Sequence, residues 1–333
     1  MTPSGHGTAI VGAGLMGRWH ADAVARTGGA VTLIVDPDEG ALDALGKKHP
    51  GARLDAALDA AAVAKVATVA HVCTPLATHL RVMTDLIEAG LHVLVEKPFT
   101  ENASEARAIV DLAAKRGVLV CPVHQFLFQD GVREVHSWLL DLGPVRRLEF
   151  STCSAGAVDG EATAQDALIA EILPHPLSLV NKLLDVKTSD LSWQCVHPMA
   201  GEFRAMASVN EAVVDVAISA HGRPTENVLR VIGDNGSAIA DLFHGFASRL
   251  SPNVSRSAKM AKPFTTSAGT FAAAAANLAR RAVRGEPAYP GLRELVREFH
   301  NAARLGATSP IGPDAIMDVS VARDSLLSRL SRT

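Results

Sequence analysis

The chain has 333 residues, enough for two domains and a large core, and carries a formal net charge of −3. That balance excludes the electrostatic footprint of a nucleic-acid-binding or membrane-surface protein. Cys73, Cys121, Cys153 and Cys195 form no C-x-x-C pair, which argues against zinc and a redox dithiol and for free thiols in a reducing cytoplasm.

The first apolar run is a strand rather than a leader, and no uninterrupted apolar stretch of about 20 residues follows it. A soluble, cytoplasmic protein is expected. Thr8-Ala9-Ile10-Val11 has strand character and runs into Gly12-Ala13-Gly14-Leu15-Met16-Gly17, a G-x-G-x-x-G at a strand-to-helix junction. An Ala-rich helix follows, then the strand Val31–Val35 ending on Asp36. Each part suits a dinucleotide. Gly12 permits a tight turn, Gly14 lets backbone approach the pyrophosphate, and Gly17 lets helix and strand pack closely. The helix N-terminus offers N–H groups to the phosphates, with Leu15 and Met16 in the same loop. Asp36, about 20 residues beyond the glycines, is placed to accept from the adenosine ribose. An acid there repels a 2′-phosphate, and Pro37-Asp38 offers no Arg to receive one. NAD(H) is therefore expected in preference to NADP(H).

The βαβα alternation continues to about residue 122 and implies a doubly wound parallel sheet. Residues 66–73 read as a strand ending at Thr74-Pro75, and His79–Glu88 as a helix. His92–Val95 is a strand ending in Glu96-Lys97-Pro98, Ser104–Arg116 a helix closed by Gly117, and Val118–Val120 a last strand. Ligands gather at the carboxyl ends of such strands, where Gly12, Asp36, Thr74 and Lys97 fall.

From about residue 123 the pattern changes. After a helix over Gly131–Leu142 come strands at Val145–Cys153, Leu191–His197, Phe203–Ser208, Val213–Ser219 and Val228–Ile232. A mostly antiparallel sheet is expected, with a helix around Pro176–Leu184 and a last helix at about 312–330 returning to the first domain. The domains are thus 1–122 and 123–333. Residues 245–285 read as a solvated helix-loop-helix on one sheet face, or as a basic lid over an anionic substrate group.

Four features resemble the Gfo/Idh/MocA oxidoreductases, the glucose–fructose oxidoreductase and inositol dehydrogenase group. The glycine motif continues to His20 as G-x-G-x-x-G-x-x-H, Thr74-Pro75 with His79 looks like T-P-x-x-x-H, and Glu96-Lys97-Pro98 is the E-K-P signature. Ile232–Ser237 looks like the family's G-T-x-G strand turn. The resemblance implies an N-terminal Rossmann domain and a C-terminal α/β domain with an open, mostly antiparallel sheet, through which the chain would form a homodimer or homotetramer. It implies hydride transfer between nicotinamide C4 and a carbinol or ketone carbon of a sugar, sugar nucleotide or related metabolite. Thr74, Pro75, His79, Glu96 and Lys97 would then help to bind the cofactor. Lys97 would also hydrogen-bond the reacting oxygen, where an ammonium favours the alkoxide.

The family's D-x-x-x-H motif matches Glu171 to His175, making His175 the acid/base and a substrate contact. Glu171, in place of the usual aspartate, would orient His175 or hold Lys97. Departures follow. Pro176 is expected to open a helix at its first position with His175 just before it. Ser178 stands where relatives have an acid, so a sugar contact is lost. His124 and Gln125 are plausible substrate or nicotinamide contacts, but Phe126-Leu127-Phe128 beside them makes a less polar pocket. Reduction of a C=N or C=C bond, or a non-catalytic nicotinamide sensor, are the alternatives. His71 reads as a core residue; His197, His221, His244 and His300 lack metal-ligand spacing, and no metal is expected.

Overall fold

The computed structural model describes residues 7–154, 161–250, 252, 255–286 and 288–330. It separates into two units. The first runs to Val123 and takes in Leu292–Val321; the second comprises His124–Gly291 and continues from Ala322.

In the first unit, strands β1 (Gly7–Val11), β2 (Ala30–Val35), β3 (Arg53–Asp55), β4 (Val69–Val72), β5 (His92–Val95) and β6 (Val120–Pro122) alternate with helices. These are α1 (Leu15–Arg26), α2 (Glu39–Gly46), α3 (Ala60–Val63), α4 (His79–Glu88) and α5 (Ala103–Arg116). All six strands pair in parallel, in the order β3-β2-β1-β4-β5-β6. The sequence grows outward from β1 to β3, then restarts at β4 on the other side. Because parallel crossovers are right-handed, that reversal puts the two sets of helices on opposite faces. It also opens a crevice at the carboxyl ends of β1 and β4.

Local sequence punctuates these elements. Asn102 caps α5 by accepting from the Glu105 N–H, and Gly117 ends it at φ +67° in the left-handed region. In α4, Val82, Met83, Leu86 and Ile87 fall at helical spacing and are buried. The strand expected over 66–73 is paired only over Val69–Val72, and the last strand lies two residues later than expected.

The second unit holds α6 (Asp130–Leu142), β7 (Val145–Cys153), α7 (Ala162–Ile172), α8 (Pro174–Leu184), β8 (Gln194–Met199), β9 (Glu202–Val209), β10 (Ala212–Ser219), β11 (Glu226–Gly233), β12 (Gly236–Asp241), β13 (Phe246–Leu250) and α9 (Arg256–Arg284). Then come α10 (Leu292–Leu305), which belongs to the first unit, and α11 (Pro313–Leu330). The seven-stranded sheet has the order β13-β12-β11-β7-β10-β9-β8. Every pairing is antiparallel except β7 with β10. Leu148, Phe150, Val214, Val216, Leu229 and Val231 form its buried face. The opposite face carries Arg204 paired with Asp215 at 2.5 Å, and Glu149 with Arg147 at 3.0 Å. Gly233 and Gly236 pair across the β11–β12 hairpin, the strand turn expected at Ile232–Ser237.

Residues 245–285 depart from the expected helix-loop-helix. They give the edge strand β13 and then one 29-residue helix that runs through Pro263; residues 251, 253 and 254 lie outside the described residues. The basic side chains at the end of α9 are already paired. Arg280 and Arg284 both reach Asp130 of α6 at 2.9 Å. That arrangement makes them a helix clasp rather than a basic lid.

Candidate active-site residues

The glycine loop joins β1 to α1 beside β4. Gly12 sits at φ +99°, and a Cβ there would meet the Cys73 carbonyl oxygen at 2.6 Å. Only glycine fits both constraints. At Gly17 an added Cβ would lie 1.8 Å from the Gly12 oxygen, so the helix could not sit so close to the turn. Gly14 is different: a Cβ there would meet nothing within 4 Å. Its absence leaves open space over the backbone. Gly14 is also the N-cap of α1, with no side-chain cap and no acid in the first turn, so the first N–H groups stay available to phosphate oxygens. Leu15, 59% exposed, borders that space.

Asp36 ends β2 and closes the loop. Its Oδ2 accepts the Ala13 N–H at 2.5 Å and its Oδ1 accepts the Asp38 N–H at 2.8 Å. A carboxylate has about four acceptor positions, so two remain for ribose hydroxyls. An open glycine cradle, an uncapped helix start and a half-buried carboxylate together fit a nicotinamide dinucleotide.

His79 holds the next two strand ends together. Its Nε2 is 2.9 Å from the Thr74 carbonyl, and its Nδ1 is 3.0 Å from that of Pro98. Expected among the cofactor-binding residues, it is 1% exposed, with both ring nitrogens turned onto backbone oxygens. It positions Thr74-Pro75 and Lys97-Pro98 instead of reaching a ligand. Glu96 is likewise 7% exposed and turned inward. Its Oε1 is 3.0 Å from Nε2 of His20, and its Oε2 accepts the Lys97 N–H at 3.1 Å. Lys97 is half-buried at the carboxyl end of β5. No hydrogen bond or ion pair holds its ammonium among the described residues.

Sequence reasoning missed what lies behind Glu96. His20 Nδ1 is 3.0 Å from His71 Nδ1, and His71 Nε2 is 2.8 Å from His300 Nε2. His20 and His71 are fully buried, and His300 is half-buried on α10. Burial, followed by the neighbouring His20 and His300, holds the His71 imidazole well below the usual histidine range. The G-x-x-H spacing pointed to His20; nothing local joins it to a residue on a helix 229 positions beyond His71. Beside this cluster, burial and then the Glu96 carboxylate push the Cys73 thiol well up, leaving it unsuited to nucleophilic work.

In the second unit, His175 lies in the first turn of α8, not just before it. The helix already starts at Pro174, where the missing N–H costs no hydrogen bond, and Leu173 separates α7 from α8. The ring of Phe126 stacks on the His175 imidazole with centroids 4.2 Å apart. Glu171 is exposed near the end of α7 and makes no hydrogen bond or ion pair with His175, so the expected carboxylate–imidazole pair does not form. Ser178 donates to the His175 carbonyl at 2.8 Å and is spent on its own helix. His124 is 2% and Gln125 8% exposed, at the start of the turn containing Phe126. The Gln125 side-chain oxygen is buried with no hydrogen-bond partner among the described residues. An acceptor left in that condition is costly unless a ligand donor meets it. Among the described residues no group of three His, Cys, Asp or Glu side chains is placed to hold a metal ion, and no helix is long and apolar enough to cross a membrane.

A parallel sheet reversed at β1/β4, a glycine cradle and an acid at the end of β2 define a dinucleotide-binding protein of the Rossmann class. Residues 7–124 match the Gfo/Idh/MocA family model, described as an oxidoreductase family with an NAD-binding Rossmann fold. Inositol 2-dehydrogenase of Corynebacterium glutamicum is 34% identical over 108 residues, 32% of each chain. The matched segment thus spans about a third of that relative's length. Inositol 2-dehydrogenase of Rhodococcus erythropolis is 26% identical over 73% of this chain and 74% of its own. The solved UDP-N-acetylglucosamine 3-dehydrogenase of Acidithiobacillus ferrooxidans shares the fold with a TM-score of 0.75 at 18% identity, covering 97% of both chains.

Proposed function

We propose that the protein is an NAD(H)-dependent dehydrogenase acting on a CH–OH or ketone carbon of a sugar, sugar nucleotide or related metabolite. The observation that carries this reading is Lys97. It stands in the E-K-P turn at the carboxyl end of β5, held by Glu96 and by the His79–Pro98 hydrogen bond, with its ammonium unclaimed by any described residue. A bound nicotinamide supplies or accepts the hydride at its C4. The work of Lys97 is to hydrogen-bond the substrate oxygen and stabilise negative charge as it develops there. His175 exchanges the proton of that oxygen. Gln125 accepts from a substrate hydroxyl, which its unpaired buried oxygen favours. The Gly12–Gly17 loop and Asp36 bind the dinucleotide, and the carboxylate disfavours a 2′-phosphate. The names of the relatives, inositol and UDP-N-acetylglucosamine dehydrogenases, support the substrate class. The protein self-associates through the outer face of the seven-stranded sheet, with its Arg204–Asp215 and Arg147–Glu149 pairs.

The test is nicotinamide absorbance with NAD⁺ or NADH against myo-inositol, UDP-N-acetylglucosamine, free sugars, and small ketones and imines. Turnover with a hydroxyl or ketone compound, abolished in Lys97→Ala while NADH affinity is retained, is the expected result. Retained turnover in that variant would sink the assignment. Phe126 against His175 favours a second reading, reduction of a C=N bond in a less polar metabolite; activity confined to the imines would select it.

A further inference from the structure

The imidazoles of His20, His71 and His300 are linked end to end with Glu96 within the first unit. The contacts are Glu96 Oε1 to His20 Nε2, His20 Nδ1 to His71 Nδ1, and His71 Nε2 to His300 Nε2, at 3.0, 3.0 and 2.8 Å. Successive rings meet edge to face, at 85° and 78°. A neutral imidazole has one donor and one acceptor nitrogen, so a carboxylate at one end dictates every proton along the chain. Glu96 requires a donor from His20, which therefore carries its proton on Nε2. His20 Nδ1 is then an acceptor, and His71 must carry its proton on Nδ1. His71 Nε2 is in turn an acceptor and receives the Nε2 proton of His300. Each contact holds one proton, all pointing toward Glu96.

We propose that His20, His71 and His300 are positioning residues for Lys97. This ordered chain fixes the rotamer of Glu96, whose second oxygen accepts the Lys97 N–H, and so ties the E-K-P turn to α10. The inference rests on Lys97 being the residue that meets the substrate oxygen. Elements from both ends of the first unit take part: His20 on α1, His71 on β4, Glu96 after β5 and His300 on α10. A buried imidazole replaced by an apolar side chain would break the proton order at that point and leave the next ring's nitrogen unsatisfied. Glu96 would then have a second way to turn, and the Lys97 amide a weaker acceptor.

The experiment uses the full chain labelled with ¹⁵N-histidine and uniformly with ¹⁵N, saturated with NADH, as wild type, His300→Gln and His300→Leu. Two-bond ¹H–¹⁵N correlations report which ring nitrogen carries each proton. The expected result is Nε2–H for His20 and His300 and Nδ1–H for His71, the reverse of the tautomer a free imidazole prefers. His71 found as Nε2–H overturns the proposal. Amide hydrogen exchange supplies the second readout. Leaving the His71 ring nitrogen unsatisfied shifts the local opening equilibrium, so His300→Leu is expected to speed exchange at the Lys97 amide by about tenfold. His300→Gln keeps an N–H donor for His71 and is expected to restore protection. The Val93 amide of β5, which donates to the Leu119 carbonyl, is the reference. Equal acceleration at Val93 and Lys97, or no rescue by glutamine, overturns the positioning role. Neither readout depends on turnover. A wild-type protein with the expected tautomers but no dehydrogenase activity would refute the function and leave the chain of imidazoles standing.

Discussion

The ring of Phe126 lies on the imidazole of His175, with centroids 4.2 Å apart and planes 27° from parallel. Both side chains are buried, at 8% and 6% exposure, so the contact fixes the face that His175 can offer a substrate. Stacking of this kind contributes about 0.5–1.5 kcal/mol beyond burial. Phe126→Leu is therefore expected to lower stability by about 1 kcal/mol and Phe126→Ala by about 3–5 kcal/mol. Turnover should fall in both while NADH affinity holds, since Phe126 belongs to the second unit. Chemical denaturation and NADH titration check this.

The glycine loop separates packing from binding. Gly17→Ala places a Cβ 1.8 Å from the Gly12 oxygen and must displace α1, so a marked drop in melting temperature is expected. Gly14→Ala meets nothing within 4 Å, and Gly14 has φ −63°, a value alanine adopts freely. Its melting temperature should be unchanged, yet NADH binding should weaken because the methyl fills the space over the loop. A normal NADH affinity in Gly14→Ala would exclude pyrophosphate from that position.

Asp36→Ala removes the acceptor of the Ala13 and Asp38 N–H groups and the repulsion toward a 2′-phosphate. Hydrogen bonds to a charged group contribute about 1.5–3 kcal/mol, so NADH affinity is expected to fall by roughly tenfold or more. NADPH affinity should fall less, moving the ratio toward the phosphorylated cofactor. Fluorescence titration with both nucleotides measures it, and an unchanged ratio would remove Asp36 from cofactor selection.

His71 gives the fold a pH dependence of defined sign. Burial, with His20 and His300 adding, lowers its pKa from the ordinary 6.5, so the unfolded chain binds a proton that the folded chain refuses. Stability from this group is fully present above about pH 6.5 and falls as the pH drops below it, by at most about 1.4 kcal/mol per unit. Urea unfolding at pH 7.5, 6.5 and 5.5 should show the loss, and His71→Asn should have a shallower slope. An identical slope in the variant would assign the effect elsewhere.

Cys121 is fully buried, and its thiol is pushed up to about 12, chiefly by burial. It should resist iodoacetamide at neutral pH in the folded protein and react on unfolding, as mass spectrometry would show.

Much of the first unit was legible because its constraints are local. The spacing of Gly12, Gly14 and Gly17 before a helix, Asp36 at the end of the next strand, and Gly117 closing α5 all act within a few residues of where they are read. Helix α4 and strands β5 and β7 fall at their expected bounds for the same reason: apolar spacing and flanking turn residues agree. Strands β12 and β13 were missed because β12 is mostly Ala, Ser and Gly and β13 is only five residues long, and their strand character comes from the pairing of β12 with β11 and of β13 with β12 rather than from propensity.

The sequence by itself determined the fold class, the dinucleotide loop, and Lys97 and His175 as the residues of interest. The tertiary structure decided how those residues are held. His79 and Glu96 carry motif positions that look like ligand contacts, yet their polar atoms meet backbone and imidazole groups. Glu171 matches a motif by spacing, but the break at Leu173 and its exposure keep it from His175. His71 and His300 are 229 positions apart and touch because α10 folds back onto α1. Spacing along a chain encodes only contacts within one element or across one turn. A hydrogen bond between distant residues depends on how the elements pack, and no pattern in the sequence records it.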